Sequence, residues 1–338
     1  MKTGIVGGGF GLRVQAPIIQ LHPHMQLTAI STMYRHSIPE ELKGNTFPFK
    51  HYLDWQEMLE KEDLDLVFVS SLPEYHHQIV IKALDMGINV VCEKPFAMNA
   101  KQALDMLEAA NKTDCNVFVD FEWRYLPIRQ KLKEFVGRGK IGKLLHTEYH
   151  ASSPDYHILS SINRGWMGQK QHFGGMLGAI GTHMIDFIRW MSSEEMEQVY
   201  GFKHTHVPIG PDEIRDADDA FFISGRLRGG STFSLQLLSG IHHGSGSTVT
   251  LYGTEGSMVL KDDQELLYGQ GRLPFRKVAF DSVNPPNALP NEAAGYYKAF
   301  YPFLQSVYDY SVNGCHDGQL PTAYDGWRNQ AVIALLEK

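Results

Sequence analysis

The chain has 338 residues, 43% of them hydrophobic and 20% charged, with a formal net charge of -7. Single hydrophobic cores stop growing near ~250 residues, so two domains are expected, and the composition excludes general disorder. The negative balance excludes a nucleic-acid backbone as main partner, because such binding needs a surplus of Lys and Arg; three scattered cysteines, Cys92, Cys115 and Cys315, offer neither a disulfide framework nor a zinc pattern.

The opening MKTGIVGGGFGLR turns to glycines and Arg13 where a secretory leader would stay apolar, and it predicts a first strand over Thr3 to Val6. The longest uncharged stretches, Val14 to Tyr34 and Gly229 to Thr254, are too rich in Pro, His, Gln, Ser or Gly to span a bilayer. No membrane partner and a cytoplasmic location are therefore expected. To about residue 120, short apolar runs alternate with amphipathic stretches. Strands are predicted at Gln26 to Ser31, Leu64 to Val69, Asn89 to Cys92 and Asn116 to Val119, and helices at Leu12 to Leu21, Tyr52 to Lys61, Tyr75 to Met86 and Ala100 to Asn111. Asn99 with Gln102 has capping-box spacing at the last of these. Right-handed crossovers turn this α/β pattern into a doubly wound parallel sheet over residues 1–120.

Beyond residue 120 the rhythm changes. A helix is predicted from Pro127 to Val136, followed by strands over Leu144 to Ala151, Gln198 to His206, Ala220 to Leu227, Ser231 to Leu238 and Thr248 to Leu260. Gly229-Gly230 and Gly253-Thr254-Glu255-Gly256 are turn sequences that tolerate positive φ, so residues 121–338 read as an α+β domain on a largely antiparallel sheet. Late helices at Ala293 to Val312 and Ala323 to Glu337 carry apolar and aromatic residues at helical spacing, the mark of core.

The strongest local motif is Gly4-Ile-Val-Gly7-Gly8-Gly9-Phe10-Gly11-Leu12, placed after a strand and before a helix as a Rossmann dinucleotide site requires. Gly7 permits the tight turn, Gly9 lets backbone approach a pyrophosphate, and the helix N-terminus offers unpaired N–H groups. Gly7, Gly9, Phe10 and Gly11 are thus candidate cofactor contacts. The third fingerprint position is Leu12 rather than Gly, a departure for which Gly11 can compensate. The end of the second strand, Ile30-Ser31-Thr32-Met33-Tyr34-Arg35, lacks the carboxylate typical of NAD sites. Thr32 and Arg35 suit a 2′-phosphate, favouring NADP over NAD, unless Arg35 simply lies on a solvated loop.

Asn89-Val-Val-Cys92-Glu93-Lys94-Pro95 runs a buried strand into two charges and a proline at its carboxyl end, the edge where open α/β sheets bind ligands. A Lys held there can exchange a proton with a substrate hydroxyl, which makes Lys94 the first catalytic candidate. The segment His172-Phe-Gly174-Gly175-Met-Leu-Gly178-Ala179-Ile-Gly181-Thr182-His183-Met-Ile-Asp186 is a glycine-dense loop entering an amphipathic helix. His183 and Asp186 share one face of it, and an imidazole suits proton removal from an alcohol; a helical His is equally read as core. The paired histidines elsewhere lack completing carboxylates or thiols, so no metal is expected.

Together these residues resemble the Gfo/Idh/MocA oxidoreductases. The likeness runs through the early glycine turn, Ser71-Leu-Pro-Glu-Tyr-His76, Ala83-Leu-Asp-Met-Gly87, Glu93-Lys94-Pro95 and Glu122-Trp-Arg124-Tyr-Leu-Pro127. It continues through Ile141-Gly142, the Gly174 to Asp186 segment and Tyr252-Gly-Thr-Glu-Gly256. The resemblance implies a Rossmann domain followed by a domain on an open mixed sheet, with a polyol or sugar-like substrate in the cleft between them and homodimers or homotetramers formed through that sheet. It places Lys94 and His183 at the catalytic positions and Ser71, Leu72, His76 and Glu93 near the nicotinamide and its ribose. Arg124, Trp166, His172 and Asp186 join His183 on the substrate side. One departure stands out: Ala179 occupies the position, four residues before the His, where many dehydrogenases of the family carry Asp. That leaves a proton route through Asp186, Tyr149 or water, or no catalysis. The readings are therefore an NAD(P)-dependent dehydrogenase or reductase acting on CH–OH groups, a non-catalytic dinucleotide-binding sensor and, ranked last, a hydrolase using transient redox at the nicotinamide.

Overall fold

The computed structural model describes residues 1–33, 36, 38, 49–315 and 317–336. They form two units, Met1–Tyr125 with Val283–Gln330, and Leu126–Ser282 with Ala331–Lys338.

The first unit holds strands β1 (Lys2–Val6), β2 (Gln26–Ser31), β3 (Lys50–Tyr52), β4 (Leu66–Val69), β5 (Asn89–Cys92) and β6 (Val117–Val119) in the order β3-β2-β1-β4-β5-β6. Every pairing is parallel. A parallel sheet is covered on both faces, which is why β4, Leu-Val-Phe-Val, is buried at all four positions. A wide helical turn over Gly11–Gln15 continues into α1 (Ala16–Ile19). Three further helices follow: α2 (Trp55–Lys61), α3 (Pro73–Asp85) and α4 (Ala100–Ala110). Asp54 caps α2 by accepting the Gln56 N–H at 2.8 Å. At α4 the Asn99 side chain accepts the Gln102 N–H at 2.9 Å, while Gln102 Oε1 reaches back to the Met98 N–H at 3.2 Å, the reciprocal exchange that the spacing predicts.

Two features of this unit differ from the sequence reading. Strand β3 arises where only the start of a helix is expected at Tyr52; Lys50-His-Tyr52 has no apolar run, and it is extended because Ala29, Ile30 and Ser31 of β2 offer it a ladder. The sequence reading also places all of 121–338 in the second domain, whereas the structure returns 283–330 to the first. The helix α8 (Asn291–Asn313) buries Phe300, Phe303, Leu304 and Val307 with Ile5, Ile18 and Phe68, so its apolar face completes the cover of the Rossmann sheet. Val119 N–H then bonds the Pro321 carbonyl at 3.0 Å, covering the free edge of β6.

In the second unit α5 (Pro127–Gly137), α6 (Tyr156–Ser161) and α7 (Thr182–Ser192) accompany eight strands. These are β7 (Leu144–Ser152), β8 (Met196–His204), β9 (Ala220–Leu227), β10 (Thr232–Leu238), β11 (Gly246–Gly253), β12 (Gly256–Lys261), β13 (Glu265–Gln270) and β14 (Arg276–Lys277). Their order is β14-β13-β12-β11-β7-β10-β9-β8, with β7 and β10 parallel and the other neighbours antiparallel. Alternation puts Tyr149, Phe221, Ile223, Leu235 and Val249 into the core with Ile185, Phe187 and Ile188 of α7. Tyr200 and Phe202 stand 66% and 60% exposed on β8. The last helix, α9 (Ala323–Leu335), follows α8. Among the described residues no helix is long and apolar enough to cross a membrane.

Candidate functional site

The glycine turn has the geometry of a phosphate cradle. Gly7 has φ 151°, and a Cβ there would lie 2.2 Å from the Ser70 carbonyl oxygen, so only glycine lets β1 and the end of β4 come this close. A Cβ on Gly11 would meet Ile5 Cγ2 at 2.8 Å and Ser70 Cβ at 2.9 Å, so Gly11 provides the close helix–strand packing that Leu12, fully buried, does not. A Cβ on Gly9 would meet nothing within 4 Å. The turn thus keeps open space in front of Gly9, where the fingerprint brings pyrophosphate to backbone N–H groups, and a dinucleotide fits it. Phe10, next along, packs edge-on to Tyr296 of α8, ring centres 4.9 Å apart.

At the end of β2, Thr32 is buried and its Oγ1 lies 2.8 Å from His51 Nε2 on β3. Arg35, the other residue read as suiting a 2′-phosphate, lies outside the described residues.

Across the sheet, the loops after β4 and β5 are pinned together by His76. Its ring is 1% exposed, with Nδ1 2.9 Å from the Pro95 carbonyl oxygen and Nε2 3.1 Å from that of Ser71; burial holds its pKa below the usual imidazole value. A neutral imidazole has one N–H, so His76 donates to one of these two carbonyls and packs against the other, between Ser71 and Pro95. Lys94 itself, two residues beyond β5, is half-buried.

Glu93, only 8% exposed, belongs to a polar cluster that reading the sequence missed. Gln15 and Asp120 are both fully buried, and Gln15 Nε2 donates to Glu93 Oε1 and Asp120 Oδ2, each at 2.9 Å. Ser70 Oγ donates to Gln15 Oε1. Burial first, then the nearby negative charges of Glu93 and Glu122, holds Asp120 well above the usual carboxylate range; burial also raises Glu93 against the pull of Lys94. A signal was present: Gln15 sits three residues after Leu12 and four before Ile19, on the apolar stripe of its helix, where a lone polar residue needs an internal partner.

Arg124 is 6% exposed, pairs with Asp325 at 3.0 Å and donates to the Gln319 carbonyl at 3.0 Å. These contacts tie the Glu122–Tyr125 turn to the chain before and at the start of α9, a structural use of a residue read as facing substrate.

In the second unit the glycine-dense loop is built by close approach. Gly175 has φ 100°, and a Cβ on it would sit 2.4 Å from Asp218 Oδ1. Asp218 Oδ2 in turn accepts the Leu177 N–H at 2.8 Å, and its carbonyl accepts the Met176 N–H at 2.9 Å. This clasp starts the helical turn Leu177–Gly181 that leads into α7. His183 and Asp186 on α7 are 3% and 2% exposed. Trp166 and His172 are half-buried on the two short turns ahead of the loop, Gly165–Gly168 and Lys170–His172. Tyr149 is committed elsewhere: its hydroxyl accepts from Arg129 Nη2 at 2.7 Å, and Arg129 grips Asp263 at 2.7 and 2.9 Å, so the sequence-level proton route through Tyr149 gives way to a buried ion network. Lys94 and its neighbours thus lie in the first unit, and Trp166, His172, His183 and Asp186 in the second.

A 3-2-1-4-5-6 parallel sheet with this turn, followed by an eight-stranded mixed sheet, defines a dinucleotide-binding oxidoreductase of two-domain type. Family models agree over both halves: "Oxidoreductase family, NAD-binding Rossmann fold" matches residues 1–121, and "GFO/IDH/MocA C-terminal domain" matches residues 129–259. The chain belongs to the Gfo/Idh/MocA oxidoreductase family. It is 26% identical to levoglucosan dehydrogenase of Pseudarthrobacter phenanthrenivorans, over 84% of this chain and 81% of that protein. It is also 26% identical to myo-inositol 2-dehydrogenase of Thermotoga maritima, over 78% and 76%. Among solved structures, levoglucosan dehydrogenase in complex with NADH and levoglucosan superposes with a TM-score of 0.85 at 22% identity, covering 100% of this chain and 96% of that one. A super-repressor mutant of Gal80p from Saccharomyces cerevisiae does so with a TM-score of 0.79 at 16% identity, covering 100% and 95%. These structural likenesses are likenesses of fold.

Proposed function

We propose that the chain is an NAD(P)-dependent dehydrogenase or reductase acting on a CH–OH group of a sugar, cyclitol or related small hydroxy compound. The observation that carries this reading is Lys94, two residues beyond β5 at the carboxyl edge of the parallel sheet, in the same unit as the glycine turn. A nicotinamide dinucleotide held by Gly7, Gly9, Phe10 and Gly11 supplies the hydride acceptor or donor. Lys94 takes the hydroxyl proton as the substrate carbon gives up its hydride, and returns it in the reverse direction. In the second unit, His183 is the other residue we assign to proton transfer, with Asp186 three residues on. Ser71, Leu72, His76 and Glu93 shape the nicotinamide side, and Trp166 and His172 the substrate side; Arg124 acts by holding its turn through Asp325. The levoglucosan and myo-inositol dehydrogenases among the relatives support a polyhydroxylated substrate.

For the cofactor we favour NADP, because Ser31 and Thr32 put hydroxyls where NAD sites carry an acid and His51 adds a ring nitrogen at Thr32. Ala179 supports a second reading, a dinucleotide-binding sensor that has lost the chemistry. One experiment separates the two. Purified protein is titrated with NADH and NADPH, then assayed by absorbance against polyols and keto sugars. Turnover that Lys94→Ala cuts by roughly 10²- to 10⁴-fold, with dinucleotide affinity retained, supports the enzyme. Tight dinucleotide binding without turnover supports the sensor, and turnover indifferent to Lys94→Ala refutes the role of Lys94.

A further inference from the structure

The buried polar cluster beside Lys94 has no part in the proton transfer as described. Its members come from three elements: Gln15 from the turn before α1, Glu93 from the end of β5 and Asp120 from the end of β6. One amide nitrogen is shared by both carboxyl groups. The other end of that amide is fixed by Ser70, so the amide cannot flip to relieve either acid. Glu93 Oε2 accepts the backbone N–H of Lys94 at 3.2 Å. No donor reaches the fully buried Asp120 Oδ1, a poor setting for an ionised oxygen. One nitrogen holds an oxygen of each acid at 2.9 Å, so two buried carboxyls meet at a single amide, and burial pushes both above the usual carboxylate range, the direction that favours a retained proton.

The charges that face them set how many protons the two acids hold. Lys94 pulls toward ionisation, while Glu122 opposes it at Asp120. Cys92, behind them on β5, is pushed up by burial and by Glu93 and Asp120, and Tyr296, across from α8, by burial and then Glu122 and Glu93, so both stay neutral and neither adds a further negative charge. Two like charges on one buried amide are strongly disfavoured, and such groups titrate as a pair.

We propose that Glu93 and Asp120 form a proton-sharing acid pair that keeps a single negative charge beside Lys94, which makes Asp120 a positioning residue for proton transfer at Lys94. The catalytic part of this inference rests on the reading of Lys94 given above; the sharing of the proton does not. With one proton, Glu93 Oε2 holds the Lys94 backbone and the amide of Gln15 satisfies both acids. A second ionisation sets two buried negative charges against each other and loosens that hold. Asp120→Asn reproduces the protonated state permanently, since an amide donates to Glu93 and accepts from Gln15 but does not ionise.

Infrared spectroscopy and kinetics on the full-length protein test the two parts separately. Wild type at neutral pH is expected to show the C=O stretch of a buried protonated carboxyl, on the high-frequency side of the amide I band and downshifted in D2O. Asp120→Asn removes this band, and Glu93→Gln shifts or removes it, so either variant serves if the other fails to fold. A wild type without the band, or a band that neither variant alters, overturns the pair. In turnover, the wild-type kcat is expected to fall on an alkaline limb that is absent in Asp120→Asn. Asp120→Ala lowers kcat about tenfold with NADH affinity unchanged. A merely structural Asp120 would leave the limb in place in Asp120→Asn, and that result overturns the positioning role. Turnover indifferent to Lys94→Ala with the infrared band intact sinks the assignment of Lys94 instead.

Discussion

Replacing Gly9 with alanine should separate ligand binding from folding. Space exists for the methyl group, because a Cβ at this position meets nothing within 4 Å and Gly9 does not have positive φ. The unfolded chain loses freedom on gaining a Cβ, so the apo protein should be stabilised by about 0.4 to 1 kcal/mol, a rise of roughly 1 to 4 °C in Tm. The same methyl occupies the approach a pyrophosphate would use. A phosphate oxygen that should sit about 2.9 Å from a backbone N–H is forced outward, and each charge-assisted hydrogen bond lost is worth about 1.5 to 3 kcal/mol. Dinucleotide affinity should therefore fall roughly tenfold to hundredfold for one bond, at about 1.4 kcal/mol per decade. Gly7→Ala is the contrast: its Cβ would sit 2.2 Å from the Ser70 carbonyl oxygen at φ 151°, so it should lower Tm before any ligand is added. Thermal melts without ligand and fluorescence titration with NADH and NADPH read both quantities. A Gly9→Ala protein that binds dinucleotide as tightly as wild type refutes the placement of the pyrophosphate, and one that melts markedly lower refutes the claim of open space.

Two other outcomes follow from single features. His76 is buried with its pKa held below 6.5, the ordinary imidazole value, so below pH 6.5 the unfolded chain binds the extra proton first. Its contribution to stability is then lost as pH falls from 6.5 toward its folded value, with a slope of at most about 1.4 kcal/mol per pH unit; urea titrations at pH 7 and 5.5 should show that drop in wild type and a smaller one in His76→Asn. On β8, Tyr200 and Phe202 expose two aromatic rings on one face of the eight-stranded sheet, and we expect homodimers or homotetramers through that face. Tyr200→Glu combined with Phe202→Glu should yield monomers by light scattering, and an unchanged mass places any interface elsewhere.

Much of the fold is legible because burial on both faces writes itself as apolar runs, as in Leu66-Val-Phe-Val69 and Val90-Val-Cys92; Gln26–Ser31 and Asn89–Cys92 are strands with the predicted limits. What escapes is whatever depends on a partner. Lys50–Tyr52 is extended only by virtue of β2, and the two residues of β14 are exposed and held by β13 alone. Helix α8 announces an apolar face, yet periodicity does not say against which sheet that face packs; Phe300 and Phe303 find the Rossmann sheet. The same holds in the site. Lys94 stands out in the sequence by its place just beyond a strand end, while the ion pair of Arg124 with Asp325, 201 positions away, has no local pattern to announce it.

The strand-end argument that singles out Glu93 and Lys94 applies equally to Asp120, which directly follows β6 on the neighbouring strand. Adjacent parallel strands in register deliver their carboxyl ends side by side, so acids at both ends must either repel or share a proton. Gln15, placed on the buried stripe of the helix that follows the glycine turn, supplies the amide that makes sharing possible. This bears on Ala179. On the proposed acid pair, a chain that lacks the carboxylate at that position of the second unit would still carry a negative charge next to Lys94, and the hydrogen bonds of Glu93 and Asp120 come from Gln15 and Lys94 of the first unit. Loss of the one acid is therefore weaker evidence for lost catalysis than the position of Ala179 by itself suggests.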